Sequence, residues 1–281
     1  MRRGPIVEAR HRAHAVVIRD GDLAEAWGDP ELVTYLRSAA KPLQALPVAE
    51  AFPELTTQEI AIACASHEAL PEQLEAVRAL LARSGSSEAD LECGEEHGGK
   101  LGHNCSGKHA GMLLLCHGRG WEPRNYRLQE HPLQEELLAL VAHATGTKPE
   151  RIPTAVDGCG VVTYAVSLRA IARAFARLIR RELPGADRVV SAMTTHPELV
   201  GGPDSVDTLV MRALPGAVAK RGAEGVLCAA LPDGAGVALK VEDGAHRAVF
   251  AAAGRLLGIP ELAERPVANS LGEDVGTIAA E

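Results

Sequence analysis

Long hydrophobic segments are absent from this sequence of 281 residues. Apolar runs such as Met112 to Cys116 are far shorter than the ~20 residues of a membrane-spanning helix. No apolar stretch of signal-peptide length follows the charged residues Arg2 and Arg3. We therefore expect a cytoplasmic protein that makes no use of a membrane.

The sequence also lacks an excess of positive charge, because its formal net charge is -8. Non-specific binding to nucleic acid needs a basic surface, so this class of partner is excluded. Nucleotide-binding glycine patterns are missing as well, since Gly201-Gly202-Pro203 has neither the dinucleotide nor the P-loop spacing.

None of the six cysteines forms a C-x-x-C pair, which excludes a zinc ribbon and a thioredoxin-type motif. In the expected cytoplasmic compartment these thiols stay mostly reduced. We expect most of them to be buried and inert. Cys105 and Cys159 differ from the rest because both lie in glycine-rich segments instead of apolar stripes.

Lysine is scarce: only six of the 29 basic residues are lysine, and the others are arginine. Arginine cannot replace a lysine that must lose its proton. A lysine kept in an apolar or glycine-rich context is therefore a candidate for chemistry, and Lys41, Lys108 and Lys220 meet this description.

The pattern of the chain predicts a single α+β domain over residues 1–281. Asp20-Gly21 and Asp233-Gly234 each separate two strand-like runs and predict hairpins near the two ends. The middle of the chain has helical spacing, as do residues near the end, and we expect helices over Pro71–Arg83, Pro132–Ala144, Val161–Arg181 and Val249–Leu257. Terminal strands around a helical middle predict one antiparallel sheet built from both ends.

Two serines and two lysines could support nucleophilic catalysis. In Ser38-x-x-Lys41 a helix beginning at the serine would place both side chains on one face, where the lysine could take the serine proton. Ser66 follows the apolar run Ile60 to Ala65, and Lys220-x-Gly222 precedes a strand-like run. Each pattern is common by itself: serine also caps helices, and Ser38 and Ser66 could be simple caps.

Cys105-x-x-Lys108-His109 is a more specific pattern, because a helical turn would place all three side chains on one side. Cys159 lies in Asp157-Gly158-Cys159-Gly160, which predicts a tight turn. Two thiolates with such neighbours would suit a zinc-like ion. The alternative is that both cysteines are buried hydrophobic residues.

Taken together, these segments resemble the asparaginase II family, the rhizobial-type L-asparaginases. The resemblance runs from Arg37 to about Gly244. It rests on five blocks: Arg37–Ala45, Ala63–His67, His103–Met112, Asp157–Gly160 and Ala219–Gly225. The third and fourth blocks, in this order and spacing, are far more specific than S-x-x-K.

The resemblance implies a serine β-lactamase/glutaminase-like fold, a homodimer, and hydrolysis of L-asparagine to aspartate and ammonia. By likeness to the family, Ser38 pairs with Lys41 and Ser66 with Lys220 in catalysis. The family's metal site, usually zinc, maps onto Cys105, Lys108 and Cys159. Substrate-binding positions map onto Arg37, His67, His109 and Asp157.

The chain departs from the family in two ways. It is short, so Lys240 competes with Lys220 for the second lysine position. The Gly-Glu pair that often follows Ser-His in the family is replaced by Glu68-Ala69-Leu70-Pro71.

We expect Ser38 to attack the amide carbon, Lys41 to accept its proton, and Arg37 to pair with the substrate α-carboxylate. Two other interpretations stay open. The chain could be a β-lactam or peptide amidohydrolase, which needs S-x-x-K and K-x-G but not the cysteines. It could also be a non-catalytic protein that binds zinc or an amino acid.

Overall fold

A computed structural model describes all of residues 1–281 and contains twelve strands and twelve α-helices. The strands are β1 (Arg2–Arg3), β2 (Ile6–Val7), β3 (Ala13–Arg19), β4 (Asp22–Trp27), β5 (Val33–Tyr35), β6 (Thr154–Val156), β7 (Val162–Ser167), β8 (Val218–Gly222), β9 (Val226–Ala230), β10 (Gly236–Val241), β11 (Glu264–Ala268) and β12 (Asp274–Ala279). The helices are α1 (Lys41–Gln44), α2 (Leu46–Ala51), α3 (Thr57–Ala63), α4 (Pro71–Arg83), α5 (Ser106–Arg119), α6 (Pro132–Thr145), α7 (Leu168–Ile179), α8 (Ala186–Thr195), α9 (Pro197–Gly201), α10 (Val206–Ala213), α11 (His246–Leu257) and α12 (Pro260–Ala263). Short 3₁₀ helices occur at Arg37–Ala40, Glu88–Asp90 and Pro149–Arg151.

The central sheet has five antiparallel strands in the order β4-β3-β10-β9-β8. Strands from both ends of the chain meet where β3 pairs with β10, with Val17 opposite Val237. The fold is therefore mixed α/β with antiparallel sheets. Strands β11, β12, β1 and β2 form a second sheet, and β5, β7 and β6 form a third.

Both hairpin signals lie at strand connections. Asp20 and Gly21 have positive φ angles of 53° and 90° and join β3 to β4. Gly234, with φ of 90°, lies between β9 and β10, which pair antiparallel. Left-handed backbone at these positions matches the twist of the paired strands.

One connected core of 83 buried apolar residues holds the central sheet and the helices together. Helix α7 lies against the sheet, and Gly236 permits this approach: a Cβ atom there would lie 1.9 Å from the carbonyl oxygen of Ala172. Helices α2, α3, α5 and α8 pack on one another in the helical part of the fold. None of the helices is long and apolar enough to cross a lipid bilayer.

The expected helix over Val161–Arg181 is wrong in its first third. Val162–Ser167 forms β7, between β5 and β6, and the helix begins only at Leu168. The β-branched run Val161-Val162-Thr163 favours a strand, and the Ser167 side chain accepts a hydrogen bond from Ala170 N–H as the helix N-cap. The helix over Pro71–Arg83 is confirmed. Helix α6 ends one residue later than predicted, and α11 begins at His246 instead of Val249.

Candidate active site

A polar cavity of about 690 Å³ lies between the central sheet and the helical part of the fold. Both candidate serines, Ser38 and Ser66, line it. The other lining residues are His67, Glu68, Glu96, His97, Asn104, Asp204, Ser205, Arg221, Gly222, Ala223, Glu224, His246 and Phe250. Four of the five sequence blocks therefore meet at one cavity.

Ser38 lies in the 3₁₀ helix that follows β5. The preceding residue, Arg37, has a φ of 51°, a left-handed conformation that is uncommon for a residue with a side chain. Strand β8 reaches this segment through Gly222, where a Cβ atom would lie 2.5 Å from the Leu36 carbonyl oxygen. Close backbone packing therefore brings the K-x-G strand beside the serine.

Ser66 lies on the extended connection between α3 and α4. Helix α3 starts at a capping box formed by Thr56 and Glu59 and ends at Ala63. The Ser66 N–H donates to the Val200 carbonyl at 2.8 Å, and the His67 N–H donates to the Asn104 carbonyl at 3.2 Å. These bonds fix the connection on both sides of the serine.

Lys41 is buried beneath the cavity, with 1% of the residue exposed. Its amine lies 2.5 Å from the Ala65 carbonyl oxygen, 3.0 Å from Ser66 Oγ and 3.4 Å from the Asn104 carbonyl oxygen. All three partners can accept a hydrogen bond, and none is a carboxylate. A neutral amine would donate to the two carbonyls and accept the Ser66 proton with its lone pair.

Lys220 is also fully buried, but it has a carboxylate partner. Its amine lies 2.8 Å from Asp207 Oδ2, and neither side chain is exposed. Burial lowers the pKa of Lys220 to about 8, even though the attraction of Asp207 opposes this effect. The amine also donates to the Arg221 carbonyl at 3.1 Å.

The contacts differ from the expected pairs. The Ser66 hydroxyl has Lys41 as its partner, whereas we expected Lys220, and Lys41 makes no hydrogen bond to Ser38. The reason is the packing of the Ala65-Ser66 segment over the Lys41 amine, while the buried Asp207 carboxylate holds the Lys220 ammonium. Catalytic roles for these four side chains stay predictions.

His67 lines the cavity but is held as a neutral ring. Its Nδ1 accepts the Ala69 N–H at 3.1 Å, so the proton of the neutral ring is on Nε2, 2.8 Å from Ser106 Oγ. The Ser106 hydroxyl in turn donates to the Leu101 carbonyl at 2.8 Å. Burial lowers the pKa of His67 to about 4. With both nitrogens engaged, His67 positions the start of α5.

Cys105, Lys108 and Cys159 form a buried cluster. Cys105 precedes α5, Lys108 lies in its first turn, and Cys159 lies in the β6–β7 turn, which Gly160 closes with a φ of 86°. The Lys108 amine lies 2.9 Å from Cys159 Sγ. The tight turn is as predicted, whereas Cys105 precedes the helix as its N-cap and His109 of the same motif contacts Tyr126.

The two sulfurs and the amine of this cluster shift one another's pKa values. A hydrogen bond from Cys159 holds the pKa of Cys105 well below its usual value, and the same bond raises the pKa of Cys159. Burial acts to lower the pKa of Lys108, but attraction to Cys159 and Cys105 outweighs it, so this pKa is raised.

The structure contains no group of three or more histidine, cysteine, aspartate or glutamate side chains that could hold a metal ion. The donor set of two sulfurs and one amine nitrogen still suits a thiophilic ion such as zinc. An ion would have to displace the protons of Cys159 and Lys108.

The other predicted substrate-binding residues lie beside the cavity without lining it. Arg37 Nε donates to Asp157 Oδ1 at 2.6 Å, so these two side chains already form an ion pair. His109 is fully buried, and its Nδ1 lies 2.7 Å from the hydroxyl of Tyr126, while its Nε2 has no partner. Arg37 thus has an internal carboxylate where we expected a substrate carboxylate.

Sequence reasoning missed two residues of the site, Asp207 and Arg221. Asp207 lies in the first turn of α10, two residues after the N-cap Ser205. The available signal was its place as the only charged residue in the largely apolar run from Val206 to Met211. Arg221 is the middle residue of Lys220-x-Gly222. Alternation along a strand places it on the opposite face from Lys220, which the sequence pattern does show.

Comparison with known protein families shows which family the chain belongs to. The family model for L-asparaginase II matches residues 1–277. The protein belongs to the L-asparaginase II family. No curated protein matches the chain.

Among solved structures, the native form of Mglu is 18% identical with a TM-score of 0.51, and the match covers 89% of this chain. The chain spans only 64% of the length of Mglu. A β-lactamase (Mb2281c) from Mycobacterium bovis is 14% identical over 83% of this chain and 87% of its own, with a TM-score of 0.36. At these identities the likeness to Mglu shows a shared fold.

Proposed function

We propose that the protein is an L-asparagine amidohydrolase that releases L-aspartate and ammonia through a serine nucleophile. Membership of the family supports an amidohydrolase acting on a small amide. The observation that carries the proposal is the cavity in which Ser38 and Ser66 lie together above the buried Lys41 amine. This arrangement offers a nucleophile, a base and a route for the proton.

The first step is attack of Ser38 Oγ on the side-chain amide carbon. The new C–O bond forms as the serine proton moves to the neutral amine of Lys41, three residues later in the chain. Charge then develops on the amide oxygen, and the backbone N–H of Ser38 is the candidate donor to it. The tetrahedral intermediate keeps the amide nitrogen until that nitrogen receives a proton.

The second step passes this proton to the leaving group. The hydrogen bond of 3.0 Å between Lys41 and Ser66 gives a direct path from the amine to the Ser66 hydroxyl and on to the departing nitrogen. The C–N bond breaks and ammonia leaves. Water then hydrolyses the acyl-enzyme to aspartate, with Lys41 neutral again. Lys220 would tune this path through its charge, because its ammonium and that of Lys41 repel each other.

The experiment is ammonia release from L-asparagine, with L-glutamine and an enzyme-free blank in parallel. The variants are Ser38→Ala and Ser66→Ala, and Ser84→Ala is a matched control on the far end of α4. We expect Ser38→Ala to abolish release and Ser84→Ala to retain it. Near-normal turnover by a folded Ser38→Ala variant would refute the nucleophile assignment, and nitrocefin hydrolysis without ammonia release would favour a β-lactam amidohydrolase.

We further propose that Cys105, Lys108 and Cys159 hold zinc. Bound there, the ion would tie the start of α5 to the β6–β7 turn and act as a Lewis acid. Metal content of the purified protein, measured by mass spectrometry, tests this. We expect Cys159→Ser to lose zinc and the buried control Cys116→Ser to keep it; equal zinc content in both variants would contradict the assignment.

We propose that the fold is of the serine β-lactamase/glutaminase type, which the antiparallel central sheet and the likeness to Mglu support. A homodimer and a cytoplasmic location are further parts of the proposal. Light scattering of the purified protein and fractionation of the source cells test them separately.

A further inference from the structure

Arg221 presents its guanidinium at the wall of the cavity, next to Ser66. Its Nη2 lies 3.4 Å from the Ser66 carbonyl oxygen, and it makes no other hydrogen bond through its side chain. The side chain is only 20% exposed. A guanidinium carries five N–H donors, so most of the donors of this cavity-lining residue have no protein acceptor within hydrogen-bond distance.

Another partly buried arginine has backbone acceptors for its donors. Arg188 donates to the carbonyls of Ala49, Phe52, Pro53 and Leu55. Arg221, by contrast, donates a side-chain hydrogen bond to the Ser66 carbonyl alone. The unused donors of a largely enclosed guanidinium indicate a place for a ligand with negative charge.

The position of Arg221 is fixed by its backbone. The residue lies in β8 opposite Leu227, and its N–H donates to Asp207 Oδ1 at 2.5 Å. The same aspartate holds Lys220. A guanidinium on a paired strand is held in place before a ligand arrives, which favours tight binding of a planar carboxylate.

The charges around the cavity describe the ligand further. Arg221 is the only lysine or arginine that lines it, against four carboxylates: Glu68, Glu96, Asp204 and Glu224. Glu68 Oε1 lies 3.9 Å from Arg221 Nη2 and is 44% exposed. A guanidinium and a carboxylate this close suit a molecule that carries a carboxylate and an ammonium on one carbon, namely a free α-amino acid.

We propose that Arg221, with Glu68 beside it, binds the α-carboxylate and α-ammonium of the amino-acid substrate, the role expected of Arg37. The inference rests on the proposed function, since it concerns the substrate of the same cavity. Arg37 is hydrogen-bonded to Asp157 at 2.6 Å, whereas the carboxylate nearest to Arg221, that of Glu68, is 3.9 Å away, and Arg221 adjoins Ser66. The site would therefore prefer amides of α-amino acids over amides that lack the carboxylate.

The test is calorimetric binding of two probes to the full chain: L-aspartate, and β-alanine, which is aspartate without its α-carboxylate. We expect the wild type to prefer L-aspartate. Arg221→Met should weaken L-aspartate binding by about 10–100-fold, the usual effect of losing a charge-assisted hydrogen bond, and should leave β-alanine binding little changed. Arg221→Lys, which keeps the charge but loses the planar fork, should fall between the two.

The matched control is Arg78→Met, which removes the same charge from an exposed position on α4 and should bind both probes as the wild type does. Succinate, which lacks the ammonium, should bind equally to wild type and Glu68→Gln, whereas L-aspartate should bind Glu68→Gln more weakly. A wild type without preference for L-aspartate over β-alanine, or an Arg221→Lys and Arg221→Met pair that keep the full preference, would overturn the inference.

Ammonia release separates this inference from the proposed function. Loss of L-aspartate binding in Arg221→Met, in a protein that releases no ammonia from L-asparagine, would support the inference and defeat the proposed function. Release of ammonia by Arg221→Met with an unchanged KM for L-asparagine would do the opposite.

Discussion

Lys41 and Lys220 are buried to the same degree, yet their surroundings differ. Lys41 contacts two carbonyls and a hydroxyl, whereas Lys220 contacts the carboxylate of Asp207. A carboxylate favours the ammonium form, while carbonyls and a hydroxyl accept hydrogen bonds from either form of the amine. The difference favours Lys41 for the proposed proton transfer, whereas Lys220 belongs to a buried ion pair that joins β8 to α10.

Replacing Lys41 gives the largest expected effect on activity. Lys41→Met should lower kcat/KM for L-asparagine by about 10²–10⁴-fold, the usual contribution of a general base. Lys41→Arg should be as inactive, because a guanidinium keeps its proton. The control is Lys148→Met at an exposed position. An active Lys41→Arg variant would show that Lys41 supplies only charge.

Breaking the Lys220 pair should mainly cost stability. Asp207→Asn leaves an ammonium buried without its counter-ion, and we expect the free energy of unfolding to fall by about 3–5 kcal/mol. The double variant Asp207→Leu/Lys220→Met should recover most of this loss, because apolar side chains need no partner there. Urea denaturation followed by circular dichroism measures both, and an Asp207→Asn variant as stable as the wild type would show that the pair is not formed.

The pKa of Lys220 predicts the direction of a pH effect on stability. Below about pH 8 the folded and unfolded chains both carry the ammonium, so its full burial cost is present. Above about pH 8 the folded amine loses its proton while the unfolded lysine keeps it up to its ordinary pKa, and the cost is relieved. The free energy of unfolding of the wild type relative to Lys220→Met should therefore rise from pH 7 to pH 9.5. A constant or falling difference would contradict the lowered pKa.

Lys240 should give the smallest effect. Its amine donates to the backbone carbonyls of Glu224, Val241 and Glu242, and Lys240 itself does not line the cavity. We expect Lys240→Met to leave kcat/KM within about twofold of the wild type, as changes outside a site usually do. A fall in kcat/KM as large as the one measured for Lys220→Met would instead support Lys240 as the second catalytic lysine.

Much of the fold followed from local patterns. The hairpins at Asp20-Gly21 and Asp233-Gly234 and the helix at Pro71 were predictable because turn residues and helical spacing act over a few residues. The boundary within Val161–Arg181 was missed because Tyr164, Ala165 and Val166 are as compatible with a buried helix as with a strand. The segment becomes strand β7 because it pairs with β5 on one side and β6 on the other. This pairing is not visible in the local sequence.

The sequence predicted which residues belong to the site better than it predicted which of them are in contact. The scarcity of lysine pointed to Lys41, Lys108 and Lys220, which are all buried, and their chemical roles stay predictions. Their partners depend on how distant segments pack: Ser66 reaches Lys41 across 25 residues, and Cys159 reaches Lys108 across 51. No spacing rule within one element predicts such contacts.

The locked ring of His67 has a consequence for chemical labelling. Reagents that acylate imidazole attack an unprotonated nitrogen with a free lone pair, and the lone pair of His67 Nδ1 is occupied by the Ala69 N–H. His67 should therefore resist modification by diethyl pyrocarbonate in the folded protein. Any modification that blocks the cavity should map instead to His97 or His246, the other imidazoles on its wall.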